Sequence, residues 1–333
     1  MAAEEIALDP EVAAVLERMA ALGGPQPDQQ PLADARAAHD AIAVWASGPG
    51  QEVARVEDCT VPGPDGPVPV RVYWPAGAEP PGGPGTTREP DPHGCTEPSC
   101  TVEPSRTLPV VAYFHGGGWV MGSIDSFDCV CRALANASGA LLISVGYRLA
   151  PEHRYPAAVR DAEAALAWIA EYASELGGDP SRLAVVGDSA GANLGTVAVR
   201  RARDTGGPKV RFQALIYPVA DQHRSDEDPA MRWMWESYLG EDPSEDASPD
   251  VAPAGADLTG LPPTLVLCAE GDPLRADGEA YAEALAAAGV EAECLVVDGT
   301  VHGFWRWQAL CSVARRTVDD VGEAIRAGCR RRV

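Results

Sequence analysis

Apolar residues fall along this chain in two rhythms. From position 108 onward, short continuous apolar runs alternate with longer stretches of helical periodicity. Strands are predicted at 109–114, 140–145, 182–186, 212–217, 264–268 and 291–297, and helices near 127–138, 156–176, 193–203, 278–288 and 313–327. Runs that are apolar at every position belong to strands covered on both faces, so the pattern predicts an α/β fold with a mostly parallel sheet between two layers of helices. Upstream the rhythm differs. Residues 8–46 carry helical periodicity broken at Gly23-Gly24-Pro25, which predicts two helices joined by a loop. Residues 53–61 and 68–74, split by the turn-forming Pro62 to Pro67, predict an antiparallel pair at the sheet edge.

Two segments break the pattern. Residues 75–107 are rich in Pro, Gly and Thr and almost free of large apolar side chains, so they bury too little surface to offset their ordering entropy and are expected to form a flexible insertion. Residues 220–240 are acidic and Trp-rich, with a short helix at 231–238. The expected organisation is a helical segment at 1–50 and a core at 51–333, with the insertion at 75–107 and an irregular segment at 220–240.

Composition narrows the function classes. The 333 residues carry a formal charge of −23, which repels phosphate backbones and anionic surfaces and argues against a nucleic-acid partner. No apolar run approaches the ~20 residues a membrane span requires. The N-terminus has no basic region followed by an apolar one, so a cytoplasmic location is expected. The nine cysteines show no zinc-ligand spacing, and those inside apolar strands, such as Cys268 and Cys294, are expected to be buried free thiols. Cys95 and Cys100 lie in the Pro/Gly-rich insertion, where a local disulfide or adventitious metal binding stays open.

The chemistry concentrates at Gly187-Asp188-Ser189-Ala190-Gly191, where an apolar run meets a helix. A serine in such a turn is held in a strained conformation with its hydroxyl exposed, and glycines on either side let strand and helix pass closely. By itself this pattern arises readily by chance in a glycine-rich chain; His115-Gly116-Gly117-Gly118-Trp119 is rarer. Backbone N–H groups without Cβ atoms in the way suit the oxyanion of acyl transfer, and Gly116, Gly117 and Ala190 are assigned as its donors. A serine needs a base, and the base an orienting acid, in the chain order Ser, acid, His. Asp272 follows one predicted strand and His302 the next. Asp272 could instead be only a helix N-cap, and Glu270 and Asp277 are neighbouring alternatives. His115 and His153 fall in the wrong order; His39, His93 and His223 lie outside the sheet core.

Together with Pro62-Gly-Pro-Asp-Gly-Pro67, Tyr147-Arg-Leu-Ala-Pro-Glu-His153, Tyr155-Pro-Ala-Ala158, Asp272-Pro-Leu-Arg275 and His302-Gly-Phe304, these motifs resemble the hormone-sensitive-lipase-like family of α/β-hydrolases, the bacterial carboxylesterase branch with arylacetamide-deacetylase-like enzymes. The resemblance implies an eight-stranded core, an N-terminal helical cap at 1–50 over the site with a cap-contacting segment at 220–240, no metal or cofactor, and hydrolysis of short- to medium-chain acyl esters by Ser189, His302 and Asp272. It favours Asp272 over Asp277 and is compatible with a homodimer. Amide or formamide hydrolysis would use the same machinery, and a receptor on the same fold would lack the histidine that His302 supplies. The chain departs from the family at the long insertion, at Gly146 in place of an aspartate, at Ala192, and in an abbreviated 220–230 loop. Trp119, Trp233, Trp235 and Trp305 are candidates for an apolar substrate pocket, with core packing or cap docking the alternative for each.

Overall fold

Each strand of the parallel sheet divides its side chains between two cores. In β3 (Leu108–Phe114), Val110, Ala112 and Phe114 face one helix layer, whereas Val111 and Tyr113 face the other. That two-residue alternation, apolar on both sides, is why the sequence reads as an unbroken apolar run. The computed structural model describes residues 6–81, 107–221, 228–240 and 248–330.

The sheet has eight strands in the order β1-β2-β4-β3-β5-β6-β7-β8. β1 (Arg55–Gly63) and β2 (Gly66–Trp74) form the expected antiparallel pair, and β2 also runs antiparallel to β4 (Leu141–Val145). The remaining strands, β5 (Gly178–Asp188), β6 (Phe212–Ile216), β7 (Thr264–Ala269) and β8 (Ala292–Val297), continue in parallel. One face carries α4 (Ala157–Tyr172), α5 (Ala190–Thr205) and α7 (Arg275–Ala287); α3 (Asp128–Ser138) and α8 (Ser312–Arg330) cover the other. Among the described residues no helix is long and apolar enough to cross a membrane.

The two N-terminal helices, α1 (Pro10–Leu22) and α2 (Leu32–Ser47), are tied to the loops at the carboxyl ends of the strands. Arg36 of α2 donates to the carbonyls of Val120 and Ala150 and pairs with Glu152. Ser47 Oγ donates to the Arg306 carbonyl, and Arg306 donates to Nε2 of the half-buried His39 at 2.8 Å. That bond requires His39 to be neutral, and burial followed by the Arg306 charge lowers its pKa to about 4.

At the opposite end of the sheet, β2 finishes and β3 begins. Trp74 donates its indole N–H to the Leu176 carbonyl, and Leu108 N–H donates to that of Gly177. The expected insertion leaves and re-enters here; its residues 82–106, with Cys95, Cys100 and His93, lie outside the described residues, as do 222–227, with His223, and 241–247.

One cysteine expectation is corrected. Cys268 is buried on β7, but Cys294 is exposed, because β8 is the edge strand of the sheet. The cysteines among the described residues are all free thiols.

Candidate active site

β5 ends at Asp188 and α5 begins at Ala190, leaving Ser189 alone in the turn at φ 53°, ψ −121°. A non-glycine residue in that region is strained, and the surrounding structure must hold it there. Ser189 N–H donates to the Ile216 carbonyl of β6 at 2.9 Å. A Cβ at Gly191 would run into the carbonyl oxygens of Phe114 and His115, and one at Gly187 into the Gly191 carbonyl. Only glycine lets the turn sit this close to the end of β3.

The loops after β7 and β8 bring the other two candidates to this turn. His302 Nε2 stands 3.0 Å from Ser189 Oγ, and His302 Nδ1 stands 2.7 Å from Asp272 Oδ2. A carboxylate on Nδ1 keeps the proton there, which leaves Nε2 to accept the serine hydroxyl. The Asp272 side chain is wholly buried, while that of His302 is one-third exposed, at 33%. The other oxygen of Asp272 accepts the Leu274 N–H at 2.8 Å, so this residue makes a local turn and faces the histidine at once. The alternatives are occupied elsewhere: Glu270 accepts the Gly299 N–H, and Asp277 is buried within α7. The Tyr217 ring, 4.6 Å from that of His302, packs against the imidazole.

The glycine turn differs from expectation at one position. Gly116 N–H donates to Asp188 Oδ1 at 2.9 Å, which removes it from the set of oxyanion donors. The same oxygen accepts the Tyr113 hydroxyl at 2.8 Å, so Asp188 pins the turn to β3. The N–H groups of Gly117 and Gly118 and that of Ala190 engage no acceptor among the described residues. Gly117 and Gly118 adopt φ of +123° and +61°, which open the turn toward Ser189. Behind it, Tyr147 stacks on His115 with centroids 4.4 Å apart and donates its hydroxyl to the His115 carbonyl. Arg148 anchors that segment through both oxygens of Asp161.

Burial pushes the Asp188 carboxyl up to about 6, against the opposing hydrogen bond from Tyr113 and the Arg306 charge. A carboxyl raised in the folded state binds a proton more readily there than in the unfolded chain, so its ionisation costs stability as pH rises from about 4 to 6. Asp188→Asn removes that cost and keeps an oxygen acceptor for Gly116 and Tyr113. Thermal melts should therefore show the variant gaining stability over wild type as pH rises from about 4 to 6, with a plateau above and no difference below. A gap independent of pH would refute this assignment.

The tryptophan candidates do not line the site. Trp119 and Trp235 are buried with ring centroids 4.5 Å apart, and Trp119 lies flat on Tyr238. Trp305 is buried in the core beneath α1 and α8. Trp233 is half-buried and borders a shallow depression with Pro151, Arg154 and Glu236. The side chain that does reach the glycine turn is Met234 of α6 (Pro229–Leu239), placed so closely that a Cβ at Gly118 would overlap its sulfur. Chain position put these tryptophans near the site, but the α6 stripe that carries Trp235 and Tyr238 inward docks on Trp119, and it is the neighbouring Met234 that turns to Gly118. The only sequence signal for Met234 was its place in the predicted helix at 231–238.

Comparison with known proteins places the chain in a family. Residues 111–306 match the family model described as alpha/beta hydrolase fold. The chain is 43% identical over 267 residues to the carboxylesterase NlhH of Mycobacterium tuberculosis, covering 75% of each. It is 37% identical to an ethyl acetate hydrolase of Pseudomonas putida, over 72% of this chain and 80% of that one. Among solved structures, the hyperthermophilic esterase of Pyrobaculum calidifontis superposes with a TM-score of 0.82 at 36% identity, over 97% of this chain and 99% of its own.

Proposed function

Because the chain belongs to the hormone-sensitive-lipase-like carboxylesterases of the α/β-hydrolase fold and is a carboxylic ester hydrolase, we propose that Ser189, His302 and Asp272 carry out the reaction through an acyl-enzyme. The observation that carries this reading is the single imidazole bonded on one side to Ser189 and on the other to a buried carboxylate. Ser189 Oγ attacks the ester carbonyl while His302 takes its proton. The N–H groups of Gly117, Gly118 and Ala190 receive the developing oxyanion. His302 then protonates the leaving alcohol and afterwards activates water for deacylation, while Asp272 holds the imidazole in place and stabilises its charged form.

Short- to medium-chain esters are the proposed substrates. Two features support a small acyl group. Ser189 is only 7% exposed, and Met234 closes over Gly118; the relative named for ethyl acetate acts on a two-carbon acyl ester. Initial rates on p-nitrophenyl esters from acetate to palmitate should peak at or below the medium chains and fall steeply beyond. A maximum at palmitate would overturn the chain-length reading while leaving the catalytic residues to be tested separately.

A further inference from the structure

Outside the site, β7 and β8 carry two thiols on the same face. In their parallel pairing Cys294 lies opposite Val266 and Cys268 opposite Val296, so the cysteines are diagonal neighbours with side chains on one side of the sheet. Cys268 is buried under α7, where its Sγ occupies the space a Cβ on Gly278 would need and approaches the Arg275 carbonyl at 3.8 Å. Cys294 is exposed at the sheet edge.

We propose that Cys268 and Cys294 are a peroxide-responsive dithiol, closed to an intrachain disulfide that slows the enzyme. Chemistry assigns the order of events. The Cys294 thiolate attacks hydrogen peroxide, forming a sulfenic acid and releasing hydroxide. Cys268 then attacks that sulfur, forming the S–S bond and expelling the oxygen as water, so peroxide takes up the two electrons the thiols lose.

Selectivity comes from the environment. Burial pushes the thiols of Cys59, Cys129 and Cys311 up to about 11, and that of Cys329 as well. Cys294 moves the other way: the neighbouring Cys268 thiol holds it below the usual thiol range. An exposed thiol so favoured as thiolate is the one that peroxide reaches.

The consequence for catalysis is mechanical. Strands about 4.8 Å apart with a two-residue offset of about 6.6 Å put the two Cα atoms about 8 Å apart, and a disulfide spans at most about 6.8 Å. Closing the bond therefore draws the edge strand along its axis by an ångström or two. β7 leads into the loop bearing Asp272 and β8 into the loop bearing His302. A shift of that size between the partners of a proton relay costs on the order of tenfold or more in rate.

The test is peroxide treatment of the whole protein followed by tryptic digestion without reductant. Cleavage after Arg232, Arg275 and Arg306 puts Cys268 in peptide 233–275 and Cys294 in peptide 276–306. The expected result is that these two peptides appear joined, two hydrogens lighter than their sum. In parallel, kcat should fall about tenfold and recover with dithiothreitol. Cys294→Ser should keep the untreated activity and lose both the joined peptide and the peroxide effect. Absence of the joined peptide, or a link between two copies through Cys294, overturns the site. An unchanged kcat in the linked protein, or an equal loss in Cys294→Ser, overturns the coupling to catalysis. The activity arm rests on the reading of Asp272 and His302 above; the peptide arm does not, so the two can fail separately.

Discussion

Replacing Ser189 by alanine should lower kcat on p-nitrophenyl acetate by about 10⁶-fold, with the melting temperature unchanged. The scale follows from covalent catalysis: without Oγ there is no acyl-enzyme, and the remaining oxyanion donors stabilise only a slow direct attack by water. The fold should tolerate the change because Ser189 holds its place through the backbone, its N–H bonded to the Ile216 carbonyl and its carbonyl accepting from Ala192 and Asn193. A phosphonate ester should label the wild type once per chain and the variant not at all. Turnover within tenfold of wild type would remove Ser189 from the nucleophile's role.

Asp272→Asn should cost about 10⁴-fold in kcat, again with little loss of stability. Asparagine keeps an oxygen for the Leu274 N–H, so the turn after β7 survives. What changes is the group facing His302 Nδ1: an amide N–H there can donate but not accept. The imidazole must then carry its proton on Nε2, the nitrogen that has to accept the serine hydroxyl. If kcat falls less than tenfold while Asp277→Asn abolishes turnover, the orienting acid is on α7 instead.

Much of this molecule could be read from its sequence, for identifiable reasons. The strands announced themselves because a doubly covered strand is apolar at every position, and Gly187 and Gly191 marked a turn where strand, helix and β3 nearly touch. What failed depended on direction in space. A run of three glycines does not say which N–H turns inward; the buried Asp188 claims that of Gly116. Asp272, Glu270 and Asp277 lie within one short stretch, and only the path of the loop shows which faces His302. Trp119, Trp235 and Trp305 are near the site along the chain yet spend their rings on packing. Cys294 looked buried because it opens the apolar run Leu295 to Val297, but an edge strand leaves such residues in the open.

The seam between β2 and β3 lies at the far end of the sheet from Ser189, beside Leu176 and Gly177. The chain lengthens there without lengthening any loop that touches the chemistry. The consequence is modular: residues gained, lost or swapped for a tag at that seam leave the opposite rim, where Met234 of α6 meets Gly118, untouched. The two ends of the protein are free to evolve at different speeds.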